Sequence, residues 1–147
     1  MAWSLVQSKK TTTVAAASPS IAAAFGSNVT AGNRIILYVG YFNDTDTTDH
    51  LNTPTDSQGN TYTKLIGNSV SQTQCEFCYI WTAVASATGS LTITVSAGTS
   101  GTGSELGWTA EEYSGLDASA GAGCLDVSAA GPGNFASVND PHPGTPP

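Results

Sequence analysis

The chain has 147 residues, 4 of them basic and 11 acidic, and a formal net charge of −7. That length folds as one domain with a sizeable core and needs neither disulfides nor metal, while the negative balance repels phosphate backbones and anionic headgroups and so excludes nucleic acid as a partner. No stretch approaches the roughly 20 apolar residues of a membrane-spanning helix, so no membrane partner is expected.

Met1 to Lys10 carries Trp3, Leu5 and Val6 and reads as a short first strand ending in a basic pair. Lys9-Lys10 followed by the alanine-rich Thr11 to Phe25 mimics a secretion signal, but the apolar part lacks Leu and is broken by Ser18-Pro19-Ser20, so an unsecreted start is expected. Ile21 to Phe25 suits a weak second strand, with a helix as the competing reading of its alanines. Arg34 to Phe42 is the longest apolar and aromatic run, bounded by Ala31-Gly32-Asn33 and Asn43-Asp44, and is the strand around which the rest is arranged. Alternation puts Ile35, Leu37, Val39 and Tyr41 on one face and Ile36, Tyr38, Gly40 and Phe42 on the other. Both faces are apolar, so each needs a cover.

Asn43 to Gln58 reads as a long polar loop, and Asp56-Ser57-Gln58-Gly59-Asn60 as a turn opening the next hairpin. Thr61 to Ile66 is a strand stopped by Gly67-Asn68; Cys75 to Val84 is the next, with Phe77, Tyr79, Trp81 and Ala83 opposed to Cys78, Ile80 and Val84. Leu91 to Ser96 alternates cleanly. Leu106 to Tyr113 and the short Cys124 to Ser128 complete the strands, and five prolines after Gly131 forbid a further central strand. The expected fold is all-β, an antiparallel β-sandwich of jelly-roll-like type with about eight strands, occupying residues 1–130 and followed by an extended Pro-rich tail, 131–147.

Few constellations here carry chemistry. Asp44, Asp46 and Asp49 gather carboxylates as calcium loops do, yet without the EF-hand Gly and distal Glu; a solvated loop tip is the competing reading. Cys75 and Cys78 form a CxxC, but on a strand they face opposite ways, so neither zinc nor redox chemistry is expected, and a disulfide from Cys124 to either of them stays open. Glu111 and Glu112 diverge on a strand, and His50 and His142 lie beside no nucleophile. No enzyme activity and no cofactor are expected. Trp81, Trp108, Tyr79 and Tyr113 would form a sugar-binding platform if exposed; alternating aromatics in a sandwich are more often core.

Three segments in order, Asp56-Ser57-Gln58-Gly59-Asn60-Thr61-Tyr62-Thr63, Ile80-Trp81-Thr82-Ala83-Val84 and Glu112-Tyr113-Ser114-Gly115-Leu116, resemble a β-sandwich module that recurs in tailed-bacteriophage virion proteins and in exported bacterial surface proteins. The resemblance spans about Trp3 to Val127. It implies an assembly or adhesion role and carries over no catalytic residue. The expectation is a structural virion protein of a tailed phage, a capsid decoration or cement protein made in the host cytoplasm and displayed on the virion surface. Its partners would be its own copies, with a trimer preferred, and the major capsid protein or another virion protein. The alternatives are a tail-fibre or head-fibre component, or an extracellular carbohydrate-binding or adhesin module. Interface residues are expected at Ile36, Tyr38 and Phe42, with Phe135 and Val138 as apolar anchors of the tail.

Overall fold

The computed structural model describes residues 2–43, 49–71, 75–98 and 104–119. Within them nine strands form: β1 (Ser4–Lys10), β2 (Val14–Ala15), β3 (Ser20–Ala24), β4 (Arg34–Asn43), β5 (Thr55–Asp56), β6 (Thr63–Ser71), β7 (Cys75–Val84), β8 (Thr92–Ser96) and β9 (Glu105–Ser114). The fold is an antiparallel β-sandwich. The larger sheet has the order β1-β9-β4-β7-β6, with β2 also paired to β9, and the smaller sheet has the order β3-β8-β5. Pairing is nested: the first strand joins the last (β1 with β9), β3 joins β8, and β4 joins β7. This is the wrapped-hairpin logic of a jelly roll, except that β6 turns back along β7 in the larger sheet instead of widening the smaller one.

The alternation read from sequence sets the core. Ile35, Leu37, Val39 and Tyr41 of β4, Phe77, Tyr79, Trp81 and Ala83 of β7, and Leu106, Trp108 and Ala110 of β9 are buried, and they face Ile21 of β3 and Ile93 and Val95 of β8. Trp108 ties the two layers by donating its indole N–H to the Ile21 carbonyl at 3.3 Å, so the ring buries its apolar body without orphaning its one polar atom. Lys64 lays its ammonium over two core rings, 4.9 Å from the Tyr79 centroid and 5.3 Å from that of Trp81.

Two expectations about the elements are corrected. β6 does not stop at Gly67-Asn68 but runs on to Ser71. Gly67 pairs with Tyr79, and a Cβ there would come 2.9 Å from two atoms of the Tyr79 ring; the glycine makes room for an aromatic and does not end the strand. The expected loop from Asn43 to Gln58 contains β5, whose Thr55 and Asp56 pair with Thr94 and Ile93. The turn that follows is as read. The Asp56 carboxylate accepts the backbone N–H groups of Gln58 and Asn60, the Asn60 amide and the Tyr62 hydroxyl, and Gly59 takes φ of 71°, the left-handed region that glycine enters without steric cost. Asp44, Asp46, the segment Cys124–Ser128 and the tail with Phe135 and Val138 lie outside the described residues.

Candidate functional site

Since β4, β7 and β9 turn one apolar face to the core, their other residues form the outer face of the larger sheet. Ile36, Tyr38, Gly40 and Phe42 all lie there. Ile36 and Phe42 are half-buried, and Tyr38 is 40% exposed. Register then aligns small residues across three strands: Gly40 of β4 sits between Gly107 of β9 and Cys78 of β7. A row without large side chains, flanked by rows that have them, is a trough. Its wall on one side is Tyr38, Ile80 and Ile66, its end is closed by Lys10 and Thr11, and the hollow measures about 550 Å³. Towards Phe42 and Glu105 a smaller hollow of about 260 Å³ shares the same Gly40–Cys78–Gly107 floor. Thr13 leans over one end, so that a Cβ on Gly107 would lie 3.4 Å from its hydroxyl oxygen. The Cys78 side chain is a free thiol exposed on this floor.

Beyond the Tyr38–Ile80 ridge a third hollow of about 340 Å³ is lined by Trp3, Ile36, Leu65, Tyr113 and Leu116 as well as by the ridge itself. Trp3 and Tyr113 meet edge to face, with centroids 5.9 Å apart. Glu111, which pairs with Ile36 across the face, accepts hydrogen bonds from the Tyr113 hydroxyl at 2.8 Å and the Tyr38 hydroxyl at 3.4 Å. The carboxylate favours the protonated phenols. The hydrogen bond to Glu111 chiefly pushes the Tyr113 pKa up to about 12, and burial, followed by the Glu111 charge, raises that of Tyr38.

The chain that leaves β9 crosses this same face. Gly115 takes φ of 75°, the chain folds back, and Leu116 enters the third hollow. Arg34 anchors the crossing. Its side chain is on the outer face yet only 1% exposed, because the guanidinium donates to the Thr82 hydroxyl, to the Asp117 carbonyl through Nε and Nη2, and to the Ser119 carbonyl at 2.6 Å. Such a planar, multiply donating head suits three acceptors at once.

No family model, curated protein or solved structure matches the chain. The site is therefore read from its own geometry. Glu111 and Glu112 face opposite sides of β9, as alternation requires; Glu112 is fully buried and accepts from Gln7, from the Thr30 backbone and from Asn33 at 2.6, 2.9 and 2.7 Å. The four aromatics considered as a sugar platform do not share a surface. Tyr79, Trp81 and Trp108 are core, and Tyr113 alone lies on the outer face. Asp49 is exposed, and its carboxylate accepts the Leu51 backbone N–H and the Tyr79 hydroxyl; that bond comes second to burial in raising the Tyr79 pKa. Ile36, Tyr38 and Phe42 do come together on one face. Sequence reading did not find Gly107, Cys78, Trp3 and Leu116 beside them, because the first two join through register and the last two through the path of the chain at the ends of β1 and β9. The arrangement offers an apolar, recessed surface whose two phenols are engaged by Glu111, which suits binding by area.

Proposed function

We propose that the protein is a structural module that works by protein–protein contact through the outer face of its larger sheet. The observation that carries this reading is an apolar outer face on a sheet whose inner face already closes the core: Trp3 is 65% exposed, Leu5 51% and Tyr38 40%, beside the recessed Ile36, Phe42, Ile66 and Ile80. Contiguous apolar surface of this kind marks an interaction site. The resemblance of the Asp56–Thr63, Ile80–Val84 and Glu112–Leu116 segments supports the finer statement, a capsid decoration protein of a tailed phage that binds its own copies, as a trimer, and the major capsid protein. Burial of roughly 800 Å² per partner would then staple the shell by mass action, without chemistry.

The test is native mass spectrometry of the full chain and of Tyr38→Asp and Phe42→Asp, each checked for an intact fold by near-ultraviolet circular dichroism. An oligomer in the parent and a folded monomer in both variants is the expected result; the same mass for all three proteins would sink the proposal. Detection of the chain in purified phage particles tests the virion assignment.

A further inference from the structure

We infer that residues 2–15 form an exchangeable arm, which docks on β9 of a second copy of this chain in the same way as on its own β9, so that copies are joined by reciprocal strand exchange. Three observations converge on it. First, the arm covers an edge and fills no core. β1 and β2 run in succession along the same side of β9, from Ser4 opposite Ser114, through Thr11, whose backbone N–H donates to the Trp108 carbonyl, to Ala15 opposite Glu105. Yet no residue from 2 to 18 is buried. The half-buried ones, Gln7, Lys9 and Thr11, are polar, while Trp3, Leu5, Val6 and Val14 stay exposed. The arm is held by edge hydrogen bonds and a few side-chain contacts, all of which the identical arm of another copy reproduces.

Second, a short connection joins the arm to the rest of the molecule. Ala16 donates its N–H to the Ser104 carbonyl beside the start of β9, and three residues later the Pro19 carbonyl accepts the Ala97 N–H at 2.9 Å, beside β8 of the other sheet. Pro19 is the first buried residue, and Ala16, Ala17 and Ser18 between these two points are exposed bends. Proline disfavours the helical region for Ser18 and so biases the connection towards an extended path; a short hinge of this kind is where identical elements change places between copies. Third, β9 selects the strand that covers it. The buried Glu112 carboxylate accepts the Gln7 amide at 2.6 Å, so a strand without an amide at that position leaves the carboxylate short of a donor. That commits the partner to a second copy of this chain.

The Ser4 and Ser114 hydroxyls lie 2.9 Å apart on the exposed side of the pair, a spacing that cysteines placed there can bridge. Ser4→Cys and Ser114→Cys are made in separate full chains, refolded together at high concentration and oxidised, and the bridges are mapped by peptide mass spectrometry, which separates a 4–114 bridge from any made by Cys75, Cys78 or Cys124. Each chain then carries one of the two cysteines, so the bridge forms in register only when the arm of one copy lies on β9 of another. The expected result is a 4–114 bridge on a share of the Ser4→Cys arms that approaches about one half, the limit for random exchange in an equal mixture. A bridge that closes within a Ser4→Cys, Ser114→Cys double variant but never in the mixture overturns the inference, because the arm then stays on its own molecule. Absence of the bridge in both overturns it too, because the arm then does not lie on β9 at all. Ser8→Cys, out of register with position 114, is the control for chance encounter, and an equal yield of its bridge to Ser114→Cys is a refutation. An oligomer joined through the Tyr38 and Phe42 face with every arm on its own copy gives no 4–114 bridge in the mixture, so failure here leaves the proposed function standing; a bridge formed in the Tyr38→Asp background supports the exchange without that face.

Discussion

Two glutamates at adjacent positions show how little a residue's type says about its surroundings. Glu112 is sealed inside and satisfied by three donors from Gln7, Thr30 and Asn33, whereas Glu111 stands on the outer face and organises two phenols. The second arrangement has a measurable consequence. Tyr113 titrates near 10 in the unfolded chain and at about 12 in the folded protein, chiefly because its hydroxyl donates to Glu111. The folded state therefore holds that proton more tightly. Its contribution to stability is fully present below about pH 10 and disappears as pH climbs through about 12. Tyr38 on the same carboxylate shifts in the same direction. A tyrosinate absorbance titration is expected to move to lower pH in Glu111→Gln, with the change assigned by loss of one phenol in Tyr113→Phe. Superimposable curves for parent and Glu111→Gln would show that the carboxylate does not hold these protons.

Among the elements, β6 tests whether a glycine in a strand is a stop or a fit. Gly67 faces the Tyr79 ring, and a Cβ there would sit 2.9 Å from Cδ1 and Cε1, closer than packed atoms tolerate. Tyr79 is itself held by Lys64 on one side and stacked on Phe77 at 6.3 Å, so the ring has little freedom to yield. Gly67→Ala is expected to cost about 1–3 kcal/mol, the usual range for overpacking a filled site, read as a lowered denaturant midpoint; an unchanged midpoint would mean that the ring swings clear. Sequence alone reads Gly67 as punctuation because it carries no sign of its cross-strand partner. The strands that are legible, β4, β7, β8 and β9, have alternation strong enough to stand without knowledge of their neighbours. β5 does not, since Thr55 and Asp56 make a strand only by pairing with Thr94 and Ile93. The same division holds for the candidate site. Ile36, Tyr38, Gly40 and Phe42 follow from period two, but the trough exists because register sets Gly107 and Cys78 beside Gly40. Nothing in the local sequence marks Arg34 and Glu112 for burial; both are buried because their partners come from segments far away in the chain.

For the whole molecule the nested pairing is decisive. Ser4 pairs with Ser114 and Lys10 with Thr109, so among the described residues the first strand closes the sheet against the last. Non-local pairing of this kind makes folding slow, on the order of milliseconds to seconds, and leaves β9 unpaired along its outer edge until β1 arrives. β2 covers only the Leu106 and Glu105 end of that edge. Removing residues 2–10 strips the remainder and takes Gln7 away from the buried Glu112 carboxylate. It also removes Trp3 from the Tyr113 ring. A row of free N–H and C=O groups on a strand as long as β9 is a template for pairing with another chain. The 2–10 deletion is therefore expected to form large assemblies at micromolar concentration, followed by light scattering and a rise in thioflavin fluorescence that the parent lacks. Two single substitutions separate the causes. Gln7→Ala removes one donor to Glu112 but keeps the edge covered, so it is expected to lower the unfolding midpoint without scattering. Trp3→Ala leaves both the edge and the carboxylate intact and is expected to do neither to the same degree. A deletion variant that stays soluble and unassembled would show that β9 needs no cover, and would move the weight of closure from β1 to the Arg34-anchored crossing on the other side of the strand.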